Sequence, residues 1–127
     1  MATISLSLDE IYNLAKKTLL FNGCDEENAS ILSNTIMRAE RDGSLSHGLF
    51  RLPAYTAALK SKKVNGKAKP TIQNIAPSVL KVLGNNAFAP MVLSVGLPAV
   101  IELAKKKWCS YFSNHQFSSH GCLVARN

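Results

Sequence analysis

Cysteine, aromatic side chains and acidic charge are all scarce in this chain, and each scarcity removes a class of explanation. The three cysteines, Cys24, Cys109 and Cys122, are odd in number and irregular in spacing, which excludes a disulfide framework and reads them as incidental thiols of a reducing compartment. No apolar run approaches the length of a bilayer span, and "MATISLSLDE" lacks the basic start, apolar middle and small-residue cleavage site of a secretory signal; a cytoplasmic protein with no membrane partner is expected. Eight acidic residues against 15 basic ones leave a net charge of +7, much of it in "KSKKVNGKAK" (60–69) and "KKK" (105–107). Those clusters carry no interleaved aromatics and match no nucleic-acid module, so no nucleic-acid partner is expected and they read as a solvated basic face. There is no internal repeat and no "GxGxxG".

What the chain does have is 127 residues, 46% of them hydrophobic, enough for one modest core. Ser7 and Glu10 fit a capping box, and Leu8, Ile11, Leu14, Ala15, Thr18 and Leu19 recur at helical spacing, predicting a helix from about residue 8 to Phe21 with Gly23 taking the left-handed turn after it. Asp25 can cap a second helix, Glu26 and Glu27 suit its positive end, and Ala29, Leu32, Ile36 and Ala39 supply its apolar stripe up to Asp42 and Gly43. Ser44 or Ser46 can start a third helix carrying Leu49, Leu52, Tyr55, Thr56 and Leu59, with Pro53 in an early turn and a lysine-rich turn containing Gly66 at its end. After Pro70, "TIQNIA" and "VLKVLG" read as strands around an "APS" turn, and a helix rich in small residues returns from about Ala87 to Lys107. Helices, then strands, then a helix suggest the start of an α/β layer.

The chemistry concentrates in "RDGSLSHGLFRLPAY", Arg41 to Tyr55. With Ser46 as a cap, His47 would lie in the first turn, and Arg51 and Tyr55 would follow at four-residue steps on one face. A helix amino terminus beside His47 would favour the neutral imidazole, and Arg51 could grip a planar carboxylate with two parallel hydrogen bonds. Such a set suits an anionic substrate that exchanges a proton. The plain structural alternative makes Ser46 a cap, His47 a helix-end side chain, Arg51 a solvated charge and Tyr55 core, and spacing alone does not separate the two.

At these residues the sequence resembles the malate/L-lactate dehydrogenase-like NAD(P)H-dependent oxidoreductases, which do not use the usual dinucleotide fold. Its "SHG" followed by an arginine and a tyrosine is similar to theirs. "RDGS-SHG-FR-P-Y", with "VNGKAKP" at 64–70, is most similar to the branch that reduces Δ1-piperideine-2-carboxylate and Δ1-pyrroline-2-carboxylate. The resemblance covers about residues 7–107. It implies that Ser46 orients the acid, that His47 donates a proton to the substrate nitrogen, that Arg51 anchors the carboxylate and that Tyr55 lines the pocket. It further implies hydride transfer from NADPH or NADH to a C=N or C=O carbon, a small anionic substrate (a cyclic imino acid or 2-keto acid) and a homodimer. It names no cofactor-binding residue in this chain.

In the family, the helix equivalent to 87–107 leads into a strand such as "GVAILAI" and then a motif similar to "SHHFAALWP". This chain has "WCSYFSNHQFSSHGCLVARN" instead. Trp108 requires TGG and Cys109 TG plus a pyrimidine, so reading from the second base gives glycine and then alanine or valine. Continued through permitted codons, that frame yields "GAVILAITNSHHMAALWPE". A one-base frameshift near Lys107 and Trp108 is therefore expected, with residues 108–127 out of frame. Cys109, His115, His120 and Cys122 match no common zinc spacing, and no metal is expected.

The resulting expectation is an α+β or α/β fold. A three-helix domain (1–70) bears the acid and carboxylate-binding motif, residues 71–107 begin an incomplete α/β layer of the non-Rossmann NAD(P)-binding family, and a tail follows. Catalysis by this chain alone is not expected, and uncovered apolar surface and a bare sheet edge predict association or poor solubility. The competing readings are a malate/lactate-type 2-hydroxy acid dehydrogenase and a small binding module without catalysis.

Overall fold

The computed structural model describes the backbone of residues 4–114 and the side chains of residues 4–107. Helix α1, Leu8–Phe21, begins with the expected reciprocal cap: Glu10 N donates to Ser7 Oγ at 3.2 Å and Ser7 N donates to Glu10 Oε2 at 2.7 Å. Two donors that the helix leaves unpaired are thereby satisfied. Ile11, Ala15 and Leu19 form its buried face, and Gly23 follows at φ +99°, where a side chain would be strained. Helix α2, Glu26–Arg41, starts with Asn28 N donating to Asp25 Oδ1 at 2.9 Å and buries Ala29, Leu32 and Ile36. Gly43, at φ +73°, turns the chain away from its end.

The next segment departs from expectation. Neither Ser44 nor Ser46 caps a helix; residues Leu45–His47 and Leu49–Arg51 form two separate 3-10 turns without side-chain caps, and helix α3 runs only from Leu52 to Lys60. Gly48, at φ −85° and ψ −139°, interrupts the winding between the turns. Pro53 is the better start signal, since it occupies the first turn of α3, where its missing N–H leaves no bond unmade.

Strands β1, Thr71–Ala76, and β2, Val79–Leu83, pair antiparallel across Pro77 and Ser78, with Ile72 opposite Val82, Ala76 opposite Val79 and an irregularity at Ile75. Helix α4 spans Ala89–Asn114, seven residues past the expected end, because "KKKWCSYFSN" contains no glycine or proline to stop it. Its Gly96 lies against the hairpin: a Cβ there would come within 2.9 Å of Val82 Cγ2. Among the described residues the architecture is therefore three helices, a two-stranded hairpin and a fourth helix.

One core joins Ile11, Ala15, Leu19, Cys24, Ala29, Leu32, Ile36, Leu52 and Leu59 with Phe88, which precedes α4. The segment "VNGKAKP" staples this core at its rim. Asp25 N donates to Gly66 O at 3.0 Å, Asn65 N to Asn86 O at 2.9 Å, and Asn85 Nδ2 to Lys69 O at 2.7 Å. Lys69 also pairs with Asp25 at 3.3 Å and with Glu27. Leu93, Leu97, Val100 and Ile101 of α4 are exposed.

Candidate active site

The end of α2 is locked before the site begins. Arg41 forks onto Asp42 (Nε to Oδ1 2.7 Å, Nη2 to Oδ2 3.1 Å), which together with Arg38 holds the Asp42 carboxyl below its usual range. Gly43 N donates to Glu40 O at 3.1 Å and Ser44 N to Ala39 O at 2.8 Å, so the chain leaves α2 in a fixed direction. These bonds use the carbonyls that a helix end leaves unpaired.

The first 3-10 turn then brings three polar groups together. Ser46 Oγ lies 3.0 Å from His47 Nδ1, and Ser44 Oγ lies 3.4 Å from the same nitrogen. A hydroxyl donating to Nδ1 puts the proton of the neutral ring on Nε2, the nitrogen left free for a ligand. Arg51 Nε donates to Ser46 O at 3.0 Å, which folds the guanidinium back toward the serine and leaves its two terminal nitrogens unpaired among the described residues. Ser46, His47 and Arg51 are all exposed. A donor for a carboxylate and an imidazole thus sit on two consecutive, accessible turns.

The route to this grouping is not a helical stripe. His47 and Arg51 close successive 3-10 turns, so four-residue spacing does not align them, and His47 does not lie in the first turn of a helix. Tyr55 is placed differently again: on α3, half-buried against the core, it meets Phe88 edge-on with ring centroids 5.1 Å apart. Among the described residues its hydroxyl makes no hydrogen bond. It packs against the core rather than joining the polar cluster.

Glu40, one residue from the end of α2, is the participant that sequence reasoning missed. Its Oε1 accepts the Leu49 N–H at 2.7 Å, between the two turns. Gly48 is buried beneath it, and a Cβ at Gly48 would collide with the Glu40 carboxylate and stand 2.8 Å from its Cγ. Periodicity marks Glu40 only as a polar position, and the glycine of "SHG" was the available signal that something packs there.

Other features stay outside the cluster. An apolar groove of about 400 Å³ between α2 and α4, lined by Ile31, Thr35, Leu93 and Leu97 among others, includes none of Ser46, His47, Arg51 or Tyr55. Burial pushes the Cys24 thiol up to about 11, so it is inert rather than nucleophilic. No group able to hold a metal and no helix long and apolar enough to cross a membrane occurs among the described residues. The side chains of Cys109, His115, His120 and Cys122 and the tail beyond residue 114 lie outside them.

The malate/L-lactate dehydrogenase family model matches residues 6–125. A Δ1-pyrroline-2-carboxylate reductase of Ancylobacter novellus is 40% identical over 103 residues, 81% of this chain and 30% of that one. An NADP(+) (2R)-3-sulfolactate dehydrogenase of Chromohalobacter salexigens is 35% identical over 124 residues, 95% of this chain and 37% of that one. The crystal structure of Δ1-piperideine-2-carboxylate reductase from Pseudomonas syringae pv. tomato superposes with a TM-score of 0.77 at 32% identity, covering 82% of this chain and 31% of that one. The chain spans about a third of the length of these relatives.

Proposed function

Because this chain belongs to the malate/L-lactate dehydrogenase family, we propose that it carries the proton-donating and carboxylate-binding side of a cyclic imino acid reductase acting on Δ1-pyrroline-2-carboxylate or Δ1-piperideine-2-carboxylate. The observation that carries this reading is the convergence of Ser46 Oγ on His47 Nδ1 at 3.0 Å with Arg51 folded onto the Ser46 carbonyl at 3.0 Å. Arg51 takes the substrate carboxylate through its terminal nitrogens, and His47 Nε2 delivers a proton to the ring nitrogen as the C=N bond is reduced. His47 does so as the imidazolium, with Nδ1–H donating to Ser46 Oγ, and is left as the neutral ring. Tyr55, braced by Phe88, closes the pocket beneath.

A nicotinamide, NADPH or NADH, supplies the hydride in this reaction class. The donors around His47 suit a small carboxylate and a basic nitrogen. An out-of-frame origin for residues 108–127 is a separate proposal. The family match runs on across that segment, so the nucleotide sequence decides it: a shifted frame that does not continue as the same oxidoreductase refutes it.

The direct test is calorimetric titration of the chain with Δ1-piperideine-2-carboxylate, with NADPH and NADH oxidation followed in parallel. Arg51→Ala should weaken binding about 10- to 100-fold, as expected for one charge-assisted pair. His47→Ala should leave binding nearly intact while abolishing any turnover. Binding without turnover identifies a binding half; binding indifferent to Arg51→Ala refutes the assignment.

A further inference from the structure

We propose that Glu40 is the positioning residue of the Ser46–His47 pair, acting through the backbone of Gly48 and Leu49 without touching the ligand; this rests on reading Ser46 and His47 as the proton-transfer pair. The two 3-10 turns are held mainly by local bonds: His47 N donates to Ser44 O at 2.8 Å, Gly48 N to Leu45 O at 3.2 Å and Arg51 N to Gly48 O at 3.0 Å. Neither turn has a side-chain cap. Among the described residues the Glu40 carboxylate makes the one side-chain hydrogen bond from α2 to their junction, accepting the Leu49 N–H at 2.7 Å while covering Gly48. Such an N–H has no partner in either turn, since the first closes before it and the second opens with it.

The consequence runs from anchor to imidazole. With Glu40 in place, Gly48 is covered by its carboxylate, and His47, bonded directly to Gly48, presents Nδ1 to Ser46 and Ser44. Without it, Gly48 regains the freedom a glycine has, and the ring loses its fixed relation to both hydroxyls. What matters is an acceptor at the right reach, not negative charge. Glutamine preserves that acceptor, whereas aspartate keeps the charge on a side chain one methylene too short.

Nuclear magnetic resonance of the ligand-free chain tests this, with the His47 ring signals assigned by their loss in His47→Ala. In Glu40→Ala and Glu40→Asp, Leu49 amide exchange should accelerate by about tenfold or more, and the His47 Nδ1 and Nε2 shifts should move toward those of a tautomer-averaged imidazole. Glu40→Gln should match the parent in both. A merely structural contact would change Leu49 exchange and leave the ring shifts alone, and that result overturns the proposal, as does Glu40→Gln behaving like Glu40→Ala. If Glu40→Ala fails to fold, the contrast between Glu40→Asp and Glu40→Gln decides by the same criterion. No ligand is present, so failure of imino acid binding leaves this result standing, and unchanged ring shifts remove the role of Glu40 without touching the binding test.

Discussion

Replacing Gly66 with alanine adds a single methyl group at the tightest seam of the fold. Its Cβ would stand 2.8 Å from Leu59 Cδ2, 2.9 Å from the Cα of Cys24 and 2.9 Å from the Gly23 carbonyl oxygen. The leucine can rotate, but the other two atoms are backbone of the α1–α2 corner. Relief therefore requires the 64–70 segment to lift away, which threatens the Asp25 N–H bond to Gly66 O. Overpacking of this kind costs about 1–3 kcal/mol, and the strained hydrogen bond about 1 kcal/mol more. The smaller conformational freedom of alanine in the unfolded chain offsets about 0.4–1 kcal/mol. A net loss of about 2 kcal/mol should appear as a lower urea midpoint with an unchanged slope, followed by far-ultraviolet circular dichroism. Gly23→Ala is the control: nothing stands within 4 Å of its Cβ, and the penalty of about 1 kcal/mol comes from φ +99° alone. A Gly66→Ala midpoint at or above the parent's would refute the reasoning from close approach.

Phe88→Ala should destabilise by about 3–4 kcal/mol, because the ring is buried in the shared core, and should also alter the near-ultraviolet signal of Tyr55, its edge-on partner. Burial pushes the Asp25 carboxyl up, but the Asn28 backbone and side-chain donors and Lys69 outweigh it and hold the group below its usual value. Its contribution is complete above the unfolded carboxylate range and is lost as pH falls through the folded value, so Asp25→Asn should flatten the acid limb of the stability profile. Cys24 behaves in the opposite sense: raised from 9.0 to about 11, it remains protonated in the folded chain while the unfolded chain ionises. Stability should therefore fall between about pH 9 and 11, a slope that Cys24→Ser removes. Alkylation mapped by mass spectrometry should find Cys24 protected until the chain unfolds.

The first two helices were legible because each begins with a side-chain cap and carries an apolar stripe of helical period, signals that act within a few residues. Gly23, Gly43 and the Pro77–Ser78 turn were readable for the same reason. The third helix was misread because Ser46 is a plausible cap by type, and only the packing of Glu40 on Gly48 shows that the chain winds as two 3-10 turns there. Ser46, His47 and Arg51 were singled out by residue type and family resemblance, yet the helical geometry used to join them was wrong. Phe88 escaped notice altogether, since its partner Tyr55 lies 33 positions earlier and no local pattern records a contact made across the core.

The exposed turn and the helix after it take their positions from different sources. The turns that carry His47 are tied to α2 by the Glu40–Leu49 hydrogen bond, whereas Tyr55 is carried by α3, whose Leu52 and Leu59 pack in the core with Leu32 and Ile36 of α2. The relation between that turn and the Tyr55 ring is therefore a gauge of how α2 and α3 sit. A core substitution such as Ile36→Val would then be felt at the surface as a shift of the His47 turn relative to the Tyr55 ring, making the exposed turn a reporter on packing inside the protein.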